Sequence, residues 1–166
     1  VSNYRESYGI YACSGILFNH ESPFRANRFV TKKIVNEACK IFKTKKGSLA
    51  LGNLDISRDW GWANEYVEAM WLMLQQENPE DFVIATGKTY SLRDFVQMTF
   101  AYLGLDWQDW TSYENKFRRP SDIVMSAANP LKAKEKLGWS AKFSMPEVVE
   151  NMINDCLQNG ENLLGK

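Results

Sequence analysis

The chain has 166 residues, enough for one domain of ordinary size. Twenty Lys and Arg balance twenty Asp and Glu, so the net charge is zero; this argues against nucleic acid as a main partner, because binding a phosphate backbone needs clustered excess positive charge. A composition of 45% hydrophobic and 24% charged residues is that of a soluble globular domain, and no run approaches the roughly 20 apolar residues of a membrane span.

Val1 opens the chain inside what reads as the tail of a helix, stopped by Gly9. Residues 10–18 (Ile-Tyr-Ala-Cys-Ser-Gly-Ile-Leu-Phe) are a short, nearly continuous apolar run, the pattern of a parallel strand buried on both faces. Residues 19–27 read as a polar loop. Phe29, Ile34, Val35, Ala38, Ile41 and Phe42 recur at helical spacing and predict a helix over 28–46, stopped by Gly47. Ser48 to Leu51 is a second short strand and Gly52 to Arg58 a loop. A helix is expected over about 60–77, with Tyr66, Val67, Met70, Trp71 and Leu74 on one face. Residues 82–87 form a third apolar strand. Ser91 caps a helix that runs to about Leu103, with Asp94 in the place of a capping-box Glu. Residues 105–122 read as irregular and aromatic. Asn129 and Pro130 open a helix to Leu137, and Ser144 and Pro146 a last one to about Asn159. The alternation of strands and helices is that of an α/β fold.

Charge is uneven. Arg28 to Lys46 carries seven basic residues and one acidic, while Glu147 to Glu161 carries four acidic and none basic. Two solvated helix faces explain this; so does a basic helix that starts beside an anionic ligand. Cys13, Cys39 and Cys156 are odd in number and far apart, which argues against a disulfide framework and fits a reducing, cytoplasmic compartment. The polar N-terminus is not that of a signal peptide. With one histidine and no CxxC pair, no metal site is expected.

Three loops can carry chemistry. The first is Asn19-His20-Glu21-Ser22-Pro23-Phe24-Arg25, at the carboxyl end of the first strand, where open α/β sheets bind ligands. The helix after it begins near Arg28 and offers free amides, and Lys32 and Lys33 add charge, so phosphate or diphosphate suits this place. A plain polar surface loop reads equally from the same residues. In the second, Arg58-Asp59, the two side chains can pair to fix the loop, Arg58 can grip a phosphate, or Asp59 can cap the following helix. The third, Arg118-Arg119-Pro120-Ser121-Asp122, is either an exposed basic turn or a site for phosphate and ribose hydroxyls. There is no GxGxxG, GxxxxGK[ST], HExxH, GxSxG or Tyr-x-x-x-Lys.

Five phrases in order go further. They are Asn3-Tyr4-Arg5-Glu6-Ser7-Tyr8, Gly15-Ile16-Leu17-Phe18-Asn19-His20-Glu21-Ser22-Pro23, Gly52-Asn53-Leu54-Asp55 with Arg58-Asp59-Trp60-Gly61, residues 79–87 (Pro-Glu-Asp-Phe-Val-Ile-Ala-Thr-Gly), and Lys134-Glu135-Lys136-Leu137-Gly138-Trp139. Together they resemble the GDP-mannose 4,6-dehydratase family of extended short-chain dehydrogenases/reductases, over essentially the whole chain.

The resemblance implies the C-terminal part of a Rossmann-like fold with a small mixed substrate-binding domain. Residues 1–166 would be mainly the substrate-binding portion, with the strands near 10–18 and 82–87 belonging to the Rossmann sheet. The N-terminal cofactor-binding portion, with the catalytic Tyr and Lys, would lie outside this chain, which is therefore expected to hold no catalytic residue and to be inactive alone. By resemblance His20 and Arg25 contact NADP. Asn19, Val30, Lys33 and Arg58 line the GDP-mannose site, and Arg119 and Asp122 match the Arg and Glu of the family's Arg-Pro-x-Glu phrase. The implied reaction takes a hydride from C4 of the mannosyl ring, loses water across C5 and C6, and returns hydride to C6, giving GDP-4-keto-6-deoxymannose.

Three departures stand out. Phe24 replaces the first of two arginines in a loop that resembles the family's tetramer contact, Asp122 is one methylene shorter than Glu, and the segment from Asp106 to Arg119 is short. The implied intact enzyme is cytoplasmic and homo-oligomeric, a dimer or tetramer. Other readings are a nucleotide-sugar 4-reductase or 4-epimerase, and a non-catalytic nucleotide-sugar-binding fragment. A fragment of a parallel sheet is expected to leave an open edge and an apolar face.

Overall fold

The computed structural model describes residues 1–114, 117 and 123–159. Helix α1 (Ser2–Tyr8) ends at Gly9 in the left-handed conformation, as its sequence predicts. Strands β1 (Gly15–Leu17) and β2 (Asn19–Glu21) follow with only Phe18 between them, then helix α2 (Val30–Thr44) and strand β3 (Leu49–Leu51). Strands β4 (Ser57–Arg58) and β5 (Trp60–Trp62) are separated only by Asp59 and lead into helix α3 (Ala63–Met73). Strand β6 (Phe82–Ile84), strand β7 (Tyr90–Ser91) and helix α4 (Leu92–Tyr102) come next. Helix α5 (Trp107–Trp110), strand β8 (Thr111–Tyr113), helix α6 (Leu131–Leu137) and helix α7 (Met145–Asn159) complete the chain. The fold is α/β.

The strands pair two by two. β1 lies parallel to β6, β2 to β5 and β3 to β8, while β4 and β7 are antiparallel. The chain crosses from one pair to the next at a single residue each time. Phe18 still donates its amide to the Ile84 carbonyl (2.9 Å) before Asn19 joins the second pair. Asp59 sits at the corresponding junction between β4 and β5.

Two apolar clusters flank these junctions. The larger joins α2, α4 and α7 with β3 and Trp60; the smaller joins α3, β6 and α6 with Trp139. Ile34, Val35, Ala38 and Ile41 of α2 are fully buried, as the helical spacing predicts. The Ser91 cap also forms as expected. Its hydroxyl accepts from the Asp94 amide (3.0 Å) and the Asp94 carboxylate accepts from the Ser91 amide (2.9 Å).

Four expectations change. Residues 19–21 of the expected polar loop are a strand, because their register opposite Trp60–Trp62 supplies backbone partners that sequence alone does not reveal. Residues 60–62 are accordingly strand, and α3 starts at Ala63. The irregular stretch holds α5 and β8. Finally, α3 turns the other way. Tyr66, Ala69 and Met73 face the core, while Val67, Met70, Trp71 and Leu74 are exposed. This helix is apolar nearly all round, so its pattern could not select the inner face. Tyr4, Tyr8 and Ile16 are exposed as well.

Asp59 is fully buried, and neither pairs with Arg58 nor caps α3, whose N-cap is Trp62. Its carboxylate accepts the amides of Thr86 (3.0 Å) and Gly87 (2.8 Å), fastening the β4–β5 junction to the end of β6. Gly87 has φ +77°, a backbone that most side chains would strain. Gly61, next to the junction, is also obligatory: a Cβ there would meet Tyr66 at 2.5 Å. On the smaller cluster, Glu65 accepts the amides of Lys142 (2.7 Å) and Phe143 (3.2 Å), and its own carbonyl accepts from Trp139 Nε1 (3.1 Å).

Helix α1 is tied to the body by Asp81, whose carboxylate accepts from Arg5 Nη1 (2.9 Å) and Nη2 (3.2 Å) and from the Ser14 amide (2.8 Å). The Arg5 guanidinium, then the Ser14 amide, hold the Asp81 carboxyl well below the ordinary carboxylate range.

Two outcomes follow. Asp59→Ala leaves both amides without their charged acceptor and should cost about 3 kcal/mol, read as a lowered urea midpoint; an unchanged midpoint would show that the junction holds without it. Because the native Asp81 carboxyl titrates below its unfolded counterpart, its contribution is full above about pH 4 and is lost as pH falls through the lowered native value. Asp81→Asn should therefore be less stable than the parent at neutral pH, with the gap closing as unfolding is followed to acid; a gap constant down to pH ~2 would refute the assignment.

Candidate functional site

A cleft of about 590 Å³ opens where β2, the start of α2, β3 and β4 meet. Strand β2 shows why side chains from one short segment part company. Successive residues point to opposite faces, so Asn19 lines the cleft while the His20 ring packs on Tyr66, with ring centroids 4.8 Å apart. His20 Nδ1 lies 2.8 Å from the Phe18 carbonyl, so that nitrogen carries the proton and Nε2 points away from it. Glu21, on the Asn19 side, is buried beneath the cleft floor.

Glu21 organises the basic side of the cleft. Its carboxylate accepts from Thr31 Oγ1 (2.8 Å) and lies 3.2 Å from Arg25 Nε. Burial pushes its carboxyl up, against the opposing pull of the Thr31 hydroxyl, Arg25 and Lys32. The Arg25 guanidinium also stacks 3.8 Å over the Phe29 ring. Arg25 is thus held between a carboxylate and an aromatic face.

Lys33 and Arg58 are held differently. Lys33 Nζ donates to the Ala50 carbonyl (2.8 Å) and lies 4.3 Å over the Phe117 ring. Arg58 Nη1 donates to the Ser57 carbonyl (2.7 Å). Carbonyls and a ring orient a cation without neutralising it. Among the described residues, no carboxylate lines the cleft and none pairs with Arg28, Lys33 or Arg58. Gly52 makes room for this wall, since a Cβ there would meet the Phe117 carbonyl oxygen at 2.6 Å.

The structure brings together Asn19, Arg25, Val30, Lys33 and Arg58 from three separated stretches of sequence. His20 stands on the other face of β2. Arg119 and Asp122 lie outside the described residues. The cleft also uses Arg28, Phe29, Ala50, Gly52 and Phe117, which sequence reading did not select as site residues. For Arg28 the signal existed in the basic run at the start of α2, but no local pattern announces Ala50 or Phe117. A second cavity of about 640 Å³ adjoins the first across Leu51–Asn53, between Trp107 and Tyr113. Among the described residues, no three His, Cys, Asp or Glu side chains gather as a metal would need, and no helix is long and apolar enough to cross a membrane.

Residues 1–152 match the family described as GDP-mannose 4,6 dehydratase. The chain belongs to that family. It is 46% identical over 156 residues to GDP-mannose 4,6 dehydratase 1 of Arabidopsis thaliana, covering 94% of this chain and 43% of that protein. It is 42% identical over 171 residues to the GDP-mannose 4,6 dehydratase of Homo sapiens, covering 93% and 46%. The chain thus spans about half the length of the curated relatives it matches. Among solved structures it is similar to RMD from Pseudomonas aeruginosa complexed with NADPH (TM-score 0.83, 13% identity, 93% of this chain and 51% of that one). It is also similar to dTDP-glucose 4,6-dehydratase from Bacillus anthracis in complex with NAD (TM-score 0.84, 17% identity, 96% and 49%). The fold is that of the C-terminal part of an extended short-chain dehydrogenase/reductase.

Among the described residues, the lining of the cleft suits the binding of an anion. It offers fixed cations and apolar walls around a space with no lining carboxylate, the arrangement that favours a multiply charged anion. Inorganic pyrophosphate should bind, more weakly as salt is raised, and Lys33→Ala should weaken it about tenfold. Calorimetry on parent and variant checks this, and equal affinities would remove Lys33 from the site.

Proposed function

We propose that this chain acts within a GDP-mannose 4,6-dehydratase and supplies the nucleotide-sugar side of its active site. The observation that carries the reading is the cleft in which Lys33 and Arg58 keep uncompensated charge beside Asn19 and Val30. Lys33, anchored through one N–H to Ala50, has the rest of its ammonium for diphosphate oxygens. Arg58, anchored through Nη1 to Ser57, keeps further N–H groups for the same purpose. Arg119 adds charge to this diphosphate clamp and Asp122 accepts from ribose hydroxyls. Val30, on the first turn of α2, sets an apolar limit to the pocket, and Asn19 offers an amide to a sugar hydroxyl.

The cofactor of this reading is NADP. Two features suit a nicotinamide dinucleotide: the Nε2 of His20, left available by the Phe18 contact, and the cationic Arg25 just beyond the end of β2. The chemistry NADP supplies is reversible hydride transfer, which allows GDP-mannose to become GDP-4-keto-6-deoxymannose with loss of water and no net change in cofactor. His20 and Arg25 hold it; no proton-transfer residue for the reaction is assigned to this chain.

The free edge of β1 and the exposed face of α1 and α3 receive the N-terminal portion of such an enzyme, so that β1 and β6 become part of its Rossmann sheet. The match to the dehydratase family favours this reading over a 4-reductase or 4-epimerase. The enzyme is cytoplasmic and homo-oligomeric. The exposed Phe24 lies in the loop by which subunits approach.

The test has two arms. The 166-residue chain alone should bind GDP-mannose without converting it, while the full-length protein with NADP should release GDP-4-keto-6-deoxymannose. In the full-length protein, Arg58→Ala should raise KM for GDP-mannose about tenfold or more with a smaller effect on kcat. Turnover by the chain alone, or a different product from the full-length protein, would defeat the proposal.

A further inference from the structure

The His20 ring has two restraints, and only one of them is a hydrogen bond. The Phe18 carbonyl, 2.8 Å from Nδ1, fixes which nitrogen carries the proton and holds one edge of the ring. A contact at one edge leaves the ring free to tilt about it. The second restraint is Tyr66, whose ring centroid lies 4.8 Å from that of His20 at an interplanar angle of 31°. His20 is half-buried, whereas Tyr66 is fully buried.

Tyr66 reaches this place because a neighbouring position carries no side chain. His20 pairs with Gly61 across the parallel β2–β5 ladder, so side chains at these two positions would stand on the same face. Gly61 has none, and a Cβ there would meet Tyr66 Cε2 at 2.5 Å and its hydroxyl oxygen at 2.7 Å. The Tyr66 ring, delivered by the start of α3, therefore fills the space that a side chain opposite His20 would take. Behind it stands Trp139, edge-on with centroids 5.9 Å apart and an angle of 88°. Trp139 is itself anchored, its Nε1 donating to the Glu65 carbonyl (3.1 Å). Rings from β2, α3 and the turn after α6 thus pack in one row.

The Tyr66 hydroxyl adds nothing to this row. Among the described residues it has no hydrogen-bond partner. Burial, and then the charges of Asp59 and Glu65, push its phenol up, so it stays protonated at neutral pH. A buried hydroxyl without a partner costs stability. The flat ring, and not phenol chemistry, is what this position supplies.

We propose that Tyr66 is the positioning residue of His20: its ring face and the Phe18 carbonyl together hold the imidazole in one plane, so that Nε2 keeps a fixed direction toward the nicotinamide dinucleotide. The proposal rests on the reading of His20 as a cofactor contact. Tyr66 acts through His20, and its loss lets the imidazole tilt out of the bound geometry before any cofactor arrives.

The experiment measures NADPH and GDP-mannose affinities of the purified full-length protein by calorimetry, in the parent, His20→Ala, Tyr66→Phe, Tyr66→Met and the pair His20→Ala with Tyr66→Met. Tyr66→Phe keeps the ring; it should match the parent's NADPH affinity and melt no lower. Tyr66→Met fills similar volume without a flat face and should weaken NADPH about tenfold, with GDP-mannose affinity unchanged. Added to His20→Ala, it should weaken NADPH no further, because a residue that acts through the imidazole has nothing to act on once the imidazole is gone. Additive losses would show a general packing role and overturn the proposal. If His20→Ala weakens NADPH and Tyr66→Met does not, the proposal falls and the cofactor reading of His20 stands. If His20→Ala leaves NADPH affinity intact, both fall. Where Tyr66→Met does not fold, the parent decides: the His20 ring-proton resonances, identified by their loss in His20→Ala, should lie upfield, shielded by the Tyr66 face, and unshielded resonances overturn the proposal.

Discussion

The two halves of the structure turn about one buried carboxylate. Asp59 lies between β4 and β5, whose Trp60 is buried in the larger core, and is bonded to the end of β6, whose Ile84 is buried in the smaller one. A bare charge at such a depth would be prohibitive. Two backbone amides at the end of β6 stabilise it and, in doing so, set where that strand ends relative to the β4–β5 turn. Arg58 is the residue immediately before it, so the direction in which this guanidinium enters the cleft is inherited from the Asp59 junction. Phe18 makes the matching crossing on the neighbouring strand, leaving Asn19 to face the cleft.

Electrostatics in the cleft follow from which partners are charged. Arg25 is matched by Glu21, whereas Lys33 and Arg58 are steered by carbonyl oxygens that leave their charge intact. Among the described residues, the wall thus has one cation matched by a carboxylate, Arg25, and three that are not, Arg28, Lys33 and Arg58. This is a physical reason for assigning diphosphate recognition to Lys33 and Arg58, and for giving Arg25 a different duty. Burying Glu21 alone would cost stability; the Thr31 hydroxyl and Arg25 make its burial tolerable.

Much of the secondary structure was legible because its signals are local. Gly9 stopping α1, the reciprocal bonds of Ser91 and Asp94, and the buried stripe of α2 each depend on residues within a turn or two of one another. The resemblance to the dehydratase family singled out Asn19, Arg25 and Arg58, which line the cleft, and His20, which does not. β2 and β5 were not legible, since each is only three residues long and polar or aromatic in pattern; their strand character exists only through mutual pairing. The orientation of α3 was missed for a related reason. A helix with apolar residues on both sides carries no instruction about which side meets the core, and Tyr66 settles inward because Gly61 leaves space for its ring.

What the sequence by itself determined was the α/β class, the family, and the residue types available to hold an anion, because those rest on neighbouring positions and contiguous phrases. The tertiary structure alone decided that Arg28, Lys33, Arg58 and Phe117 share one cleft, that His20 turns away from Asn19, and that Asp59 serves the backbone rather than Arg58. Each of these depends on bringing distant segments within a few ångströms. That distance is set by strand pairing and core packing across the whole fold, to which no short window of sequence has access.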